Sequence, residues 1–116
     1  MPRIRLERGP VVCERGELAV SAWTRTKGLL GRPGLEADQG LWIQPTNSIH
    51  MFFMRFPIDV VFVDRNWRVV GVRHGLRPWR VAGARRAVAA LELPVGAVAA
   101  SGIEEGDVLA LEDREE

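Results

Sequence analysis

Between positions 48 and 64 the chain reads Ser48-Ile49-His50-Met51-Phe52-Phe53-Met54-Arg55-Phe56-Pro57-Ile58-Asp59-Val60-Val61-Phe62-Val63-Asp64. An imidazole, two thioethers, a guanidinium and a carboxylate lie among aromatic and β-branched residues. Imidazole is the side chain whose charge changes near neutrality, and a carboxylate among apolar residues is costly unless something binds it. Read as extended chain, alternation puts His50, Phe52, Met54 and Phe56 on one face and Met51, Phe53 and Arg55 on the other. Both faces are largely apolar, so a central strand covered on each side is expected. In the next strand Asp59 shares a face with Val61 and Val63.

Each of these residues has a functional and a structural reading. Asp59 is either an acid with a shifted pKa, serving in binding or proton transfer, or a carboxylate that ties down the Phe56-Pro57 corner. In the second case its partners are Arg55, Arg80 or backbone N–H groups, and this is the expected case. His50 is either a ligand or base, or a core histidine bonded to the backbone, the latter expected. Met51 and Met54 read as core filling. A copper(I) site built from His50 and both methionines needs all three on one face, and alternation places Met51 opposite the others. No metal and no cofactor are therefore expected.

Three further residues stand outside this segment. Glu92 alternates away from Leu91 and Leu93, which predicts exposure, or else a cleft shared with Arg80. Trp79 and Arg80 follow Pro78 in a loop; both are favoured recognition residues, and equally a lid over an open sheet edge. Asp107 is expected to shape the turn before the last strand.

The elements that must position these residues are short. Val11 to Val20 reads as a hairpin turning near Arg15-Gly16. Ser21 offers an N-cap for a helix over Ala22 to Leu30, ended by Gly31 and Pro33. Strands are expected at Leu41–Ile43, Ser48–Phe56 and Ala87–Leu93, and Ile58 to Val72 forms a hairpin around Asp64-Arg65-Asn66. The stretch from Arg73 to Ala84 reads as a loop. One helical turn at Val95–Ala100, a last strand at Val108–Leu111 and an acidic tail from Glu112 that frays complete the chain. Seven or eight strands with one short helix predict a single compact β-sandwich or small barrel over residues 1–116.

Composition narrows the function classes. Of 116 residues, 47% are apolar and 27% charged, with a net charge of +1. That balance gives no field to gather nucleic acid or anionic membrane, and none is expected as a partner. Cys13 is the one cysteine, so internal disulfides and cysteine-rich metal sites are excluded; its strand setting predicts a buried, inert thiol. No apolar run approaches a membrane span, and the N-terminus lacks the apolar core of a signal peptide, which points to the cytoplasm. There is no phosphate-binding or dinucleotide-binding glycine pattern, no nucleophile elbow, and no zinc-hydrolase spacing between His50 and His74.

The segment from Ser48 to Asp64 closely resembles the signature of the DUF192 (UPF0127) family. The resemblance continues through Lys27-Gly28-Leu29-Leu30-Gly31-Arg32, Pro78-Trp79-Arg80, Leu91-Glu92-Leu93-Pro94, Gly102-Ile103 and Gly106-Asp107, covering about residues 17–112. It implies a single mainly-β domain of jelly-roll-like shape and brings no activity with it. Some relatives look exported.

The expected function is a non-catalytic binding domain for a small molecule or peptide. Its site would be a partly apolar cleft drawing on His50, Met54, Arg55, Asp59, Trp79, Arg80 and Glu92, with arginine at the rim favouring an anionic group. One alternative is a hydrolase or lyase using Asp59 and His50 as acid and base. The other is a structural or partner-binding module with no small ligand. The sequence leaves the oligomeric state open.

Overall fold

The computed structural model describes residues 2–7, 9–21 and 28–112. Among these residues ten strands and one short helix follow in order: β1 (Arg3–Leu6), β2 (Val11–Cys13), β3 (Arg15–Ala19), β4 (Gln39–Ile43), β5 (Ser48–His50), β6 (Ile58–Val63), β7 (Val69–Leu76), β8 (Val81–Gly83), β9 (Ala89–Leu93), α1 (Ala97–Ser101) and β10 (Leu109–Glu112). The expected helix over Ala22 to Leu30 lies mostly outside the described residues.

A five-stranded sheet, in the order β3-β4-β9-β6-β7, forms the middle of the molecule. Its strands read as continuous apolar runs because both faces are covered. On one face, Trp42, Val61, Val63, Leu91 and Leu93 pack against Ile4, Leu6, Val12 and Leu109 of a three-stranded sheet, β10-β1-β2, and against Val98 of α1. On the other, Leu41, Ile43, Ile58, Val60, Phe62 and Ala90 pack against Leu29, Met51, Met54 and Ile49. Ile49 belongs to a two-stranded ribbon, β5-β8. The mainly-β expectation holds, in sandwich form; the sheets do not close into a barrel.

Three local expectations are corrected. Val11 to Val20 is not a hairpin. The chain leaves the outer sheet after Cys13 and enters the central one at Arg15, where β3 runs parallel to β4. Arg15 anchors that entry through Asp38 at 2.7 and 2.8 Å and Glu36 at 2.6 Å. Ser48–Phe56 is not one central strand: pairing stops at His50, and 51–57 forms turns. Of the tail expected to fray from Glu112, Glu112 itself pairs in β10, where Arg5 at 3.1 Å and Arg3 at 2.9 Å hold its carboxylate and keep it below the usual glutamate range; 113–116 lie outside the described residues. The hairpin over Ile58–Val72 forms as expected and extends to Leu76, and the helical turn before Gly102 forms as α1. Arg3–Leu6 is a strand that the sequence pattern did not suggest.

Candidate functional site

On the face of the central sheet covered by the β5-β8 ribbon lies a pocket of about 240 Å3. Gly28, Leu29, Leu30, Ile43, Pro45, Thr46, Ser48, Ile49, His50, Met54 and Glu92 line it. Its walls come from the chain before Gly31, the end of β4, the loop that follows and β5. Its volume lies below the roughly 300–1,000 Å3 of sites for drug-sized molecules.

Glu92 is the unusual member. It sits in β9 between Leu41 of β4 and Val60 of β6, on a face that is otherwise hydrocarbon. It is 5% exposed. Its carboxylate makes no hydrogen bond or ion pair among the described residues. Burial pushes this carboxyl up to about 7, and the Arg32 guanidinium pulls the other way. Arg32 itself is committed to an ion pair with Glu17. The expectation of an exposed Glu92 is therefore wrong. The strand reading Ala89-Ala90-Leu91-Glu92-Leu93 is apolar on both sides of the alternation, and that run was the signal that both its faces are covered.

His50 is exposed at the end of β5. Its Nδ1 accepts the Phe52 N–H at 3.3 Å, and its ring stacks on Phe52 with centroids 5.1 Å apart. A ring whose Nδ1 accepts carries its proton on Nε2 when neutral. Met54 is buried and lines the same pocket. Leu29, Ile43, Thr46 and Ser48 were not foreseen, because the pocket forms only where three separate segments meet.

Beside His50 an aromatic ridge stands out from the surface. Phe52, Phe53 and Trp79 are 42%, 72% and 59% exposed. The Trp79 ring lies 4.8 Å from that of Phe53 and 6.0 Å from that of Phe52. Phe53 and Trp79 have φ of 64° and 72°, the left-handed region, which costs a bulky residue about 1–2 kcal/mol. Backbone bonds hold both turns in place: Trp79 N–H donates to the Met51 carbonyl at 2.7 Å and Met51 N–H to that of Arg80 at 2.7 Å. Arg55 and Arg80 are exposed beside these turns and do not line the pocket.

Asp59 lies elsewhere. It is 1% exposed and shares a face with Val61 and Val63, opposite to the pocket. Its Oδ1 accepts from Gly75 N–H at 2.8 Å, and its Oδ2 from Gly96 and Val98 N–H at 3.0 and 3.1 Å. These donors are the bend of β7 and the start of α1, not Arg55, Arg80 or the Phe56-Pro57 corner. Asp59 and His50 do not converge on one pocket, so the acid–base pairing of these two residues has no geometric basis.

A second, wider depression of about 670 Å3 is lined by Arg68, Arg73, Arg85 and Arg86 among others. Arg68 and Arg73 are engaged with backbone carbonyls. Cys13 is buried, and burial pushes its thiol up to about 11. Among the described residues no group of three or more His, Cys, Asp or Glu side chains could hold a metal, and no helix is long and apolar enough to cross a membrane.

The DUF192 profile, described as "Uncharacterized ACR", matches residues 7–111. The chain belongs to the DUF192 family. A UPF0127 protein of Thermococcus sibiricus is 34% identical over 122 residues, spanning 97% of this chain and 76% of that relative. One from Thermococcus kodakarensis is 39% identical over 70 residues, covering 60% of this chain and 44% of the relative. The crystal structure of a protein of unknown function from Novosphingobium aromaticivorans superimposes with a TM-score of 0.84 at 26% identity. It covers 95% of this chain and 84% of that one. The pocket of this DUF192 chain draws on three segments of the resemblance, Lys27–Arg32, Ser48–Asp64 and Leu91–Pro94.

Proposed function

We propose that this DUF192 chain is a binding domain for a small organic molecule, taken into the pocket lined by His50, Met54 and Glu92. The observation that carries the reading is Glu92: a carboxylate 5% exposed, on the central strand, without a hydrogen-bond partner among the described residues. Fully buried carboxylates are kept where something complements them. The aromatic ridge continues the site outward through the His50–Phe52 stack, and gives an apolar part of the ligand a surface to lie on. Of the residues expected from the sequence, His50, Met54 and Glu92 form the pocket and Trp79 the ridge. Arg55 and Arg80 border the ridge, and Asp59 has a structural task.

The test is a thermal-shift panel of small organic acids, amines, alcohols and amides, followed by amide chemical-shift mapping of any hit. A ligand at 100 times its Kd adds about 2.7 kcal/mol, enough to raise Tm by several degrees in a domain of this size. Perturbations centred on Leu29, Ile49, His50 and Glu92 are the expected result. A flat panel, or perturbations centred on Arg68–Arg73, would overturn the reading.

A further inference from the structure

Resting on that reading of the pocket, we infer that its ligand is an organic cation, an ammonium or amidinium on a short apolar body, whose N–H groups pair with the Glu92 carboxylate. Three observations converge on this class. The first is charge: the described lining residues include one carboxylate and neither lysine nor arginine. The arginine rim anticipated from sequence, which would have favoured an anion, lies outside the pocket. The second is an unmet valence. Among the described residues Glu92 is buried with no hydrogen bond, and the flanking strands place Leu41 and Val60 beside it. An ionised carboxylate in such a place lacks the donors that would satisfy it. A cation bearing two or three N–H groups supplies donors and opposite charge together. The third is the rest of the lining: Leu29, Leu30, Ile43, Ile49 and Met54 accommodate a hydrocarbon body.

Proton linkage gives this class a signature. In the empty pocket the Glu92 carboxyl titrates near 7, and a bound cation holds it ionised. The titratable groups that face it among the described residues are His50 from β5 and Arg32, the latter paired with Glu17. Strands β4 and β6 present apolar side chains beside it. Only the ionised fraction binds a cation, so affinity scales with that fraction. It rises about tenfold per pH unit below 7 and levels off above, roughly a hundredfold in all between pH 5 and pH 9. Binding at pH 6 releases close to one proton.

Calorimetric titration with benzamidinium and n-butylammonium, each beside its neutral counterpart, benzamide and n-butanol, tests this. Runs at pH 6 and pH 8 in two buffers of different ionisation enthalpy count the protons on unmodified protein. The expected result is tighter binding of at least one cation than of its neutral counterpart, with proton release at pH 6. Glu92→Gln should then lose the cation by tenfold or more while keeping the fold by circular dichroism. Neutral probes that bind as tightly as the cations, or cation binding without proton release, would overturn the cation and leave the pocket as a ligand site. No binding by any probe at pH 8, together with a flat thermal-shift panel, would overturn both.

Discussion

Asp59 and Glu92 are buried carboxylates on adjacent strands, and they are buried differently. Asp59 accepts three backbone N–H groups, from Gly75, Gly96 and Val98, and so ties β7 and the start of α1 to β6. Hydrogen bonds to a charged group contribute about 1.5–3 kcal/mol each and are not additive. Asp59→Ala should therefore cost roughly 4 kcal/mol, a large part of the 5–15 kcal/mol that stabilises a typical domain. Asp59→Asn keeps one acceptor but turns an amide N–H toward a donor, and should cost roughly half as much. Urea denaturation at constant m measures both; an alanine variant within 1 kcal/mol of the parent would contradict the role. From the sequence, an aspartate among Val60, Val61 and Val63 announced a bonded carboxylate. Its donors could not be read there, because they lie 16 to 39 positions away. Glu92 was misplaced for the opposite reason: alternation with Leu91 and Leu93 is uninformative where both faces of a strand are covered.

At the level of elements, local pairing was legible and sheet membership was not. The Ile58–Val72 hairpin carries its turn in Asp64, whose Oδ1 accepts the Asn66 and Arg68 N–H groups. The step between β2 and β3 looked like another hairpin because two β-rich runs flank a polar pair. What separates them is tertiary: Arg15 finds Asp38 and Glu36, and Gly16 N–H finds the Pro2 carbonyl at 2.8 Å. The same region makes a tight seam between sheets. A Cβ on Gly40 of β4 would stand 2.8 Å from Cys13 Sγ and 3.1 Å from Leu93 Cδ2. Overpacking of this kind costs about 1–3 kcal/mol, so Gly40→Ala should destabilise by that amount. Cys13→Ala removes the nearer obstacle, and the double variant should be more stable than the sum of the two singles by about 1 kcal/mol. Strict additivity in thermal or urea unfolding would show that the seam yields elsewhere.

For the whole molecule, the three-layer arrangement explains why one sheet carries two such different acids. The face under the three-stranded sheet is closed by a packed apolar core in which Asp59 finds backbone donors, whereas the face under the short β5-β8 ribbon holds a pocket lined by Glu92. The consequence is a global dependence of stability on pH. The folded-state pKa of Glu92 is raised to about 7 from an ordinary value of 4.5, so between these values the folded protein binds the proton and the unfolded chain does not. Stability from this group is present below about pH 4.5 and is lost as pH rises through 7. For a group so fully buried the loss is roughly 3 kcal/mol. Glu92→Gln has no such proton, so the stability of the parent relative to the variant should fall by about that amount from pH 4.5 to pH 8 and then stay level. Parallel curves for the two proteins would place the carboxylate in contact with water in the folded state. A saturating organic cation at pH 8 should reverse the fall in the parent alone, since pairing the ionised carboxylate removes the penalty that burial imposes on it.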